Sequence, residues 1–275
     1  MKLATYLQRI KYSGPLMATD EVLRMLHRAH LRAIPYENLD IHLGRPLALD
    51  IEHIYHKLVE QRRGGWCYEM NGLFAWALRE MGFDVTLLGS SVGEPAQGGI
   101  DADLDHLILL VQLDQPWLVD VGFGNAFLEP LPLAAGEAQQ GWMTFRLEQE
   151  DEKWYFHNHR HGGHGYGFTL LPREFQGFAP RCHTLQTSPE SGFVRATVCH
   201  RFTEDGIVTL RGAVLRQAGA DGVQEEEITT LPRYRQVIEQ TFGLDAAITE
   251  TLWEQVWTRH EHWKREQERA KHDAT

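Results

Sequence analysis

The sequence predicts an α+β fold: a helical first third leads into an antiparallel sheet or barrel, and a mixed α/β segment closes the chain. Three observations carry that reading. Up to about residue 85, apolar side chains recur every three or four positions, the period of one helix face. From about Val85 the apolar runs shorten, and Gly, Pro, Asp and Gln clusters separate them, which is the pattern of short strands joined by turns. After Pro232 the helical period returns and holds to Trp263.

Taken in order, Thr19-Asp20 offers a cap and an acidic first turn to a helix whose stripe is Val22, Met25, Leu26, Ala29 and Ala33; Pro35 closes it. After Asp50 a second stripe through Ile51, Ile54, Tyr55 and Leu58 runs until Gly64-Gly65. A third starts at Cys67, follows Met70, Phe74, Ala77 and Met81, and ends at Gly82. Short connections make these helices a bundle. Between the first two, Ile34-Pro35-Tyr36-Glu37-Asn38-Leu39-Asp40 reads as a polar helix-to-helix turn. Strands are expected at Leu107 to Val111, Trp117 to Val121, Thr144 to Leu147 and Trp154 to Phe156. Phe193 to His200 and Ile207 to Arg211 form a hairpin through Glu204-Asp205-Gly206. Pro232 opens a helix to about Phe242. Another, from about Ala247, offers Leu252, Val256 and Trp263 as a docking face before a solvated charged tail.

A chain of 275 residues holds about two domains' worth of sequence, and 43% hydrophobic with 24% charged residues is an ordinary globular composition. The net charge of −11 argues against a nucleic-acid binder, because the phosphate backbone demands a basic surface. An anionic small molecule needs only a local basic patch. Cys67, Cys182 and Cys199 are too few and too scattered for a disulfide framework, which fits a reducing cytoplasm. Charge interrupts every apolar run of the first residues, and no run approaches the ~18 apolar residues of a membrane span, so neither a signal peptide nor a membrane partner is expected.

Cys67 follows two glycines and opens a helix. A thiol in a first helical turn sits near unsatisfied N–H groups and the positive end of the macrodipole, which favours thiolate. The plain alternative is a small core residue, since free cysteines are often buried. His106 opens an aliphatic strand and could equally be an ordinary strand-end histidine. Asp120 lies in Leu118-Val119-Asp120-Val121-Gly122-Phe123-Gly124, and a carboxylate in so apolar a run must be paired or neutralised. If the two strands pair through a turn near Leu113-Asp114-Gln115-Pro116, His106 and Asp120 can lie opposite one another. Asp120 would then hold the imidazole, and the imidazole would take the proton of Cys67.

These residues resemble the arylamine N-acetyltransferases. Arg63-Gly64-Gly65-Trp66-Cys67-Tyr68-Glu69-Met70-Asn71 is similar to that family's nucleophile motif and Asp120-Val121-Gly122-Phe123-Gly124 to its aspartate motif. His106 occupies its histidine slot. Ile34 to Asp40 resembles its helix-loop segment, with Tyr36 where Phe is usual. The resemblance implies an N-terminal helical bundle (1–85), a central β-barrel (86–190) and a C-terminal α/β lid (191–275). It further implies a Cys67-His106-Asp120 triad, acetyl-CoA as co-substrate with no bound cofactor or metal, and a place in xenobiotic metabolism. The cycle implied is ping-pong, through acetyl-Cys67 to an arylamine, hydrazine or N-hydroxyarylamine. Phe123, Gly124 and Tyr68 are expected around the acceptor, and a homodimer stays open.

Some residues depart from the family pattern. Asp105 stands where a small hydroxyl or apolar residue is frequent, Leu107 where some relatives carry a long or basic one, and the loop from Gly93 to Asp103 matches no pattern at the acceptor-pocket edge. Two other readings keep a place. An amide synthase or a transglutaminase-like acyltransferase would use the same triad. A metal-binding module would use His157, His159, His161 and His164, with Cys182, His183, Cys199 and His200 near in sequence.

Overall fold

The structure, a computed structural model, describes residues 1–93 and 104–273, so the loop expected at the acceptor edge lies outside the described residues from position 94 to 103. The helical part comprises α1 (Leu3–Arg9), α2 (Asp20–Ala33), α3 (Leu39–His42), α4 (Ile51–Tyr55) and α5 (Cys67–Glu80). Thr19 caps α2 by accepting the Val22 N–H at 3.3 Å, and Asp50 caps α4 by accepting those of Glu52 and His53 at 2.9 and 3.1 Å. The stripe after Asp50 does not stay α-helical: His56–Glu60 widens into a π turn, which lets Lys57 point inward with Leu58 and Val59. The polar segment between α2 and α4 is more than a turn. It holds the strand β1 (Tyr36–Glu37) as well as α3.

An antiparallel sheet follows, built from β2 (Asp84–Val92), β3 (His106–Gln112), β4 (Pro116–Val119), β5 (Leu131–Pro132), β6 (Gly136–Gln140), β7 (Met143–Glu150), β8 (Lys153–His157) and β9 (Tyr166–Pro172). Their order across the sheet is β5-β4-β3-β2-β9-β8-β7-β6. The two edges are drawn together by one side chain: Gln140, ending β6, accepts the N–H groups of Leu128 and Glu129 at 3.0 and 2.9 Å and donates to Glu129 O at 2.7 Å. The sheet is thereby nearly closed into the expected barrel.

After α6 (Ala179–Thr187) and α7 (Gly192–Arg195) come β10 (Val198–Phe202), β11 (Gly206–Arg211), β12 (Val214–Gly219) and β13 (Gly222–Glu227), then α8 (Leu231–Gln236) and α9 (Thr249–Asp273). The expected hairpin is present, except that residues 193–195 are helical, because Ser191 caps them through the Phe193 N–H at 3.2 Å. Strand β1, from the first third of the chain, completes this second sheet by pairing Tyr36 with His200 and Glu37 with Cys199. On α9, Leu252 and Val256 are buried as a docking face requires, but Trp263 is 50% exposed, since the helix has by then run past the core those residues fill. Among the described residues, no helix is long and apolar enough to cross a membrane.

Candidate active site

Cys67 is the first residue of α5, and its sharp approach is set by glycines. A Cβ on Gly64 would stand 2.1 Å from the Pro35 carbonyl oxygen, and one on Gly122 would stand 2.8 Å from the Cys67 backbone. Neither position has room for a side chain. The Cys67 side of the site is buried, and burial pushes the thiol well above its ordinary range; the N–H groups of Leu107 and Tyr68 pull it part of the way back. Of these donors Tyr68 belongs to the helix start, as the helix-terminus argument requires, and Leu107 to β3; desolvation opposes both.

His106 and Asp120 meet: Nε2 of the imidazole lies 2.7 Å from Oδ2 of the carboxylate, and both residues are buried. They are not directly opposite. Strand β4 ends at Val119, and the register Leu109↔Val119 would set His106 across from Gly122, so the contact is the diagonal one. Burial alone would raise the Asp120 carboxyl. The His106 charge and hydrogen bond, with donors from Asn71 Nδ2 and Gly122 N at 2.8 Å each, hold it below its usual value instead. A carboxylate accepting from Nε2 fixes a proton there, so that a proton the ring takes or gives moves at Nδ1.

Two residues without an assigned role in the sequence build this arrangement. Asn71, one turn along α5 from Cys67, donates to Leu107 O at 2.6 Å as well as to Asp120, and accepts the Val121 N–H at 2.9 Å. It ties the nucleophile's helix to both catalytic strands. His27 accepts the Asp120 N–H on Nε2 at 3.3 Å and donates from Nδ1 to Leu128 O at 2.8 Å, and burial pushes its pKa down to about 4. The stripe of α2 marks the buried face on which His27 lies, but no local pattern announces that a histidine there reaches a residue so far along the chain.

The elbow before Cys67 rests on a buried charge cluster. Lys57 lies 2.8 Å from both Asp40 Oδ2 and Glu69 Oε1. Arg63 lies 2.6 Å from Glu37 Oε1 and 3.0 Å from Asp40 Oδ1. Glu69 also accepts the Trp66 N–H at 3.2 Å, closing the start of α5. Burial would lower the Lys57 ammonium, but Glu69, Glu37 and Asp40 raise it, so it stays charged. Burial pushes Glu69 up, which suits a cluster whose carboxylates outnumber its cations.

Cys67 and His106 open onto a cavity of about 1400 Å³. That exceeds the ~300–1,000 Å³ of an ordinary small-ligand site and leaves room for a donor and an acceptor. Tyr36, Asp105, Phe123, Arg181 and, from α9, Trp263 are among its lining residues. The rings of Phe123, His106 and Tyr166 form a triangle, with centroids 5.2 Å (Phe123–His106), 5.3 Å (Phe123–Tyr166) and 5.4 Å (His106–Tyr166) apart. Gly124 is not in the lining. Its φ is +88°, and a Cβ there would meet the His200 ring at 2.5 Å, so it is a backbone-approach position. Tyr68 is fully buried behind the site, its hydroxyl donating to Leu104 O and Asp105 O at 2.6 and 3.1 Å. The histidines of the metal-module reading have other partners: His157 lies 2.6 Å from Glu148, and buried His159 bonds Asn125 O at 3.0 Å. Among the described residues, no three His, Cys, Asp or Glu side chains converge as a metal would require.

Comparison with known proteins gives matches that agree in kind. A family profile described as N-acetyltransferase matches residues 19–251. The arylamine N-acetyltransferase of Gallus gallus, pineal gland isozyme NAT-3, is 38% identical over 236 residues, covering 77% of this chain and 81% of that protein. The structure of the Mycobacterium marinum arylamine N-acetyltransferase superposes with a TM-score of 0.86 at 30% identity, covering 93% of this chain and 98% of the other. The same enzyme solved in complex with CoA superposes at 0.84.

Proposed function

The chain belongs to the arylamine N-acetyltransferase family, and from that premise we propose that it transfers acetyl groups in two half-reactions through an acetyl-Cys67 thioester. Acetyl-CoA is the donor, and an arylamine, hydrazine or N-hydroxyarylamine is the acceptor. The observation that carries this reading is the Nε2–Oδ2 contact of 2.7 Å between His106 and Asp120 in the same cavity as Cys67. With Asp120 ionised and Nε2 protonated, Nδ1 is the base. It takes the Cys67 proton, and the sulfur attacks the acetyl carbonyl. Collapse of the tetrahedral intermediate breaks the carbon–sulfur bond to CoA, and the imidazolium returns its proton to the departing thiolate. In the second half-reaction the acceptor nitrogen attacks the thioester, His106 takes the nitrogen's proton, and Cys67 leaves and is reprotonated. A thiolate is both nucleophile and leaving group, which is why one residue serves both halves.

Phe123 offers the acceptor an aromatic wall, and offset stacking adds ~0.5–1.5 kcal/mol beyond burial. Gly124 lets that segment approach His200, and Tyr68 fixes the backbone that leads into His106; each serves the acceptor site through position. The experiment is intact-mass measurement after incubation with acetyl-CoA alone. One acetyl group should appear, map to the Trp66-Cys67-Tyr68 peptide and be removed by hydroxylamine. An acetyl group on lysine, or turnover of an arylamine with no labelled protein, would point to direct transfer through a ternary complex.

A further inference from the structure

The cavity wall beside His106 carries a charge pair that acetyl transfer itself does not call for. Asp105 stands directly before His106, and one of its carboxylate oxygens takes both the Nε–H and an Nη2–H of Arg181 from α6. Both residues line the cavity that holds Cys67 and His106. The side chains keep 17% and 40% of their surface, so the pair is presented to the cavity rather than sealed in the core. The other arginines of the same cavity vary: Arg216 has Glu225 at 3.6 Å, whereas two more bond carbonyl oxygens or an imidazole. Arg195 on α7 donates to Pro189 O, and Arg259 on α9 donates to the His42 ring and Val194 O, partners that leave the guanidinium charge uncancelled. The cavity thus keeps guanidinium charge without a carboxylate partner among the described residues at Arg195 and Arg259, alongside Glu225 and Glu266, and has a neutralised pair next to the base.

We propose that Asp105 is a specificity-determining residue: by cancelling Arg181 it makes the acceptor side of the cavity uncharged, so that uncharged arylamines are preferred to arylamines bearing a carboxylate. The assignment rests on the acyl-transfer reading of this cavity. A carboxylate entering beside His106 would shed water next to the Asp105 carboxylate and find the Nε–Nη2 edge of Arg181 already occupied and its charge cancelled. With Asp105 uncharged, the Arg181 charge is no longer cancelled, and a substrate carboxylate can displace a neutral acceptor from the fork and bind it through two hydrogen bonds.

The test compares 4-aminobenzoate with 4-aminobenzamide, near-isosteres that differ by one charge, as acceptors with acetyl-CoA. The wild-type protein favours the amide. In Asp105→Asn the ratio of kcat/KM values moves toward the carboxylate by about tenfold or more, carried mainly by KM. In Arg181→Gln, which strips Asp105 of its partner, the ratio moves the other way. A purely architectural pair would lower both acceptors together and leave the ratio alone. A ratio within about twofold of wild type in Asp105→Asn overturns the assignment. If that variant does not fold, Arg181→Gln decides, and a ratio that stays put or moves toward the carboxylate overturns it. Intact-mass labelling of each variant by acetyl-CoA alone reports the first half-reaction separately. Loss of label in the wild-type protein would sink the acyl-transfer reading, whereas an unmoved ratio on labelled protein sinks only the role of Asp105.

Discussion

At the scale of the residue, Asp120 shows how a single proton decides the site. All its side-chain partners are donors: Asn71 Nδ2 and Gly122 N on Oδ1, His106 Nε2 on Oδ2. In Asp120→Asn the amide oxygen can keep the first two, which leaves the NH2 facing His106. The ring must then accept on Nε2 and carry its proton on Nδ1, where the base should be. The expected outcome is a fold that survives and a kcat/KM reduced by at least about a hundredfold. Near-wild-type turnover at an unchanged Tm would remove Asp120 from the triad. Cys67, His106 and Asp120 were legible because each breaks a local pattern: a thiol at a glycine-led helix start, a polar residue opening an aliphatic strand, a carboxylate in an apolar run. The roles of Asn71 and His27 were not, because their partners lie 49 and 93 positions away and only the folded chain brings them close.

At the scale of the element, long periodic stripes were legible and short elements were not. Helices α2 and α5 have 14 residues each, and their apolar spacing speaks clearly. Strand β1 has two residues, and α3 has four, too few for any period to register. Yet these short pieces carry the elbow's charge cluster. Removing Lys57 as Lys57→Met leaves Asp40 and Glu69 facing each other without their shared cation, and breaking a buried pair costs about 3–5 kcal/mol. Tm should fall on the order of 10 °C. The exposed pair Arg235–Glu250 supplies the comparison: Glu250→Gln should leave Tm unchanged, since surface pairs contribute little. A Lys57→Met protein that melts with the wild type would mean that the cluster rearranges rather than supports the elbow.

At the scale of the molecule, the class of fold was legible from two changes of period, but the joins between its parts were not, because they are made by partners that no local pattern pairs. The barrel is clasped by Gln140, and β1 crosses into the C-terminal sheet. We propose the division 1–85, 86–190 and 191–275 as an architectural one and not as three folding units, because one hydrophobic core runs from Tyr6 through the barrel to Ile207, and the second core, which fills most of the third part, takes in Leu39 from the first. Acid should expose that unity. Burial holds His27 in the first part and His159 in the second at a pKa of about 4. An unfolded histidine titrates near ~6.5, so between these values the unfolded chain binds more protons than the folded one. The contribution of each buried neutral ring is therefore complete above about pH 6.5 and drains away as pH falls toward about 4; for fully buried His27 it amounts to about 3 kcal/mol. Tm measured by calorimetry should drop steeply across that window as one transition. In His27→Gln, where the amide has no proton to gain, the slope should be visibly shallower at every pH in the window. Two separate transitions would break the single-unit proposal, and an unaltered slope in His27→Gln would show that His27 is not held neutral in the fold.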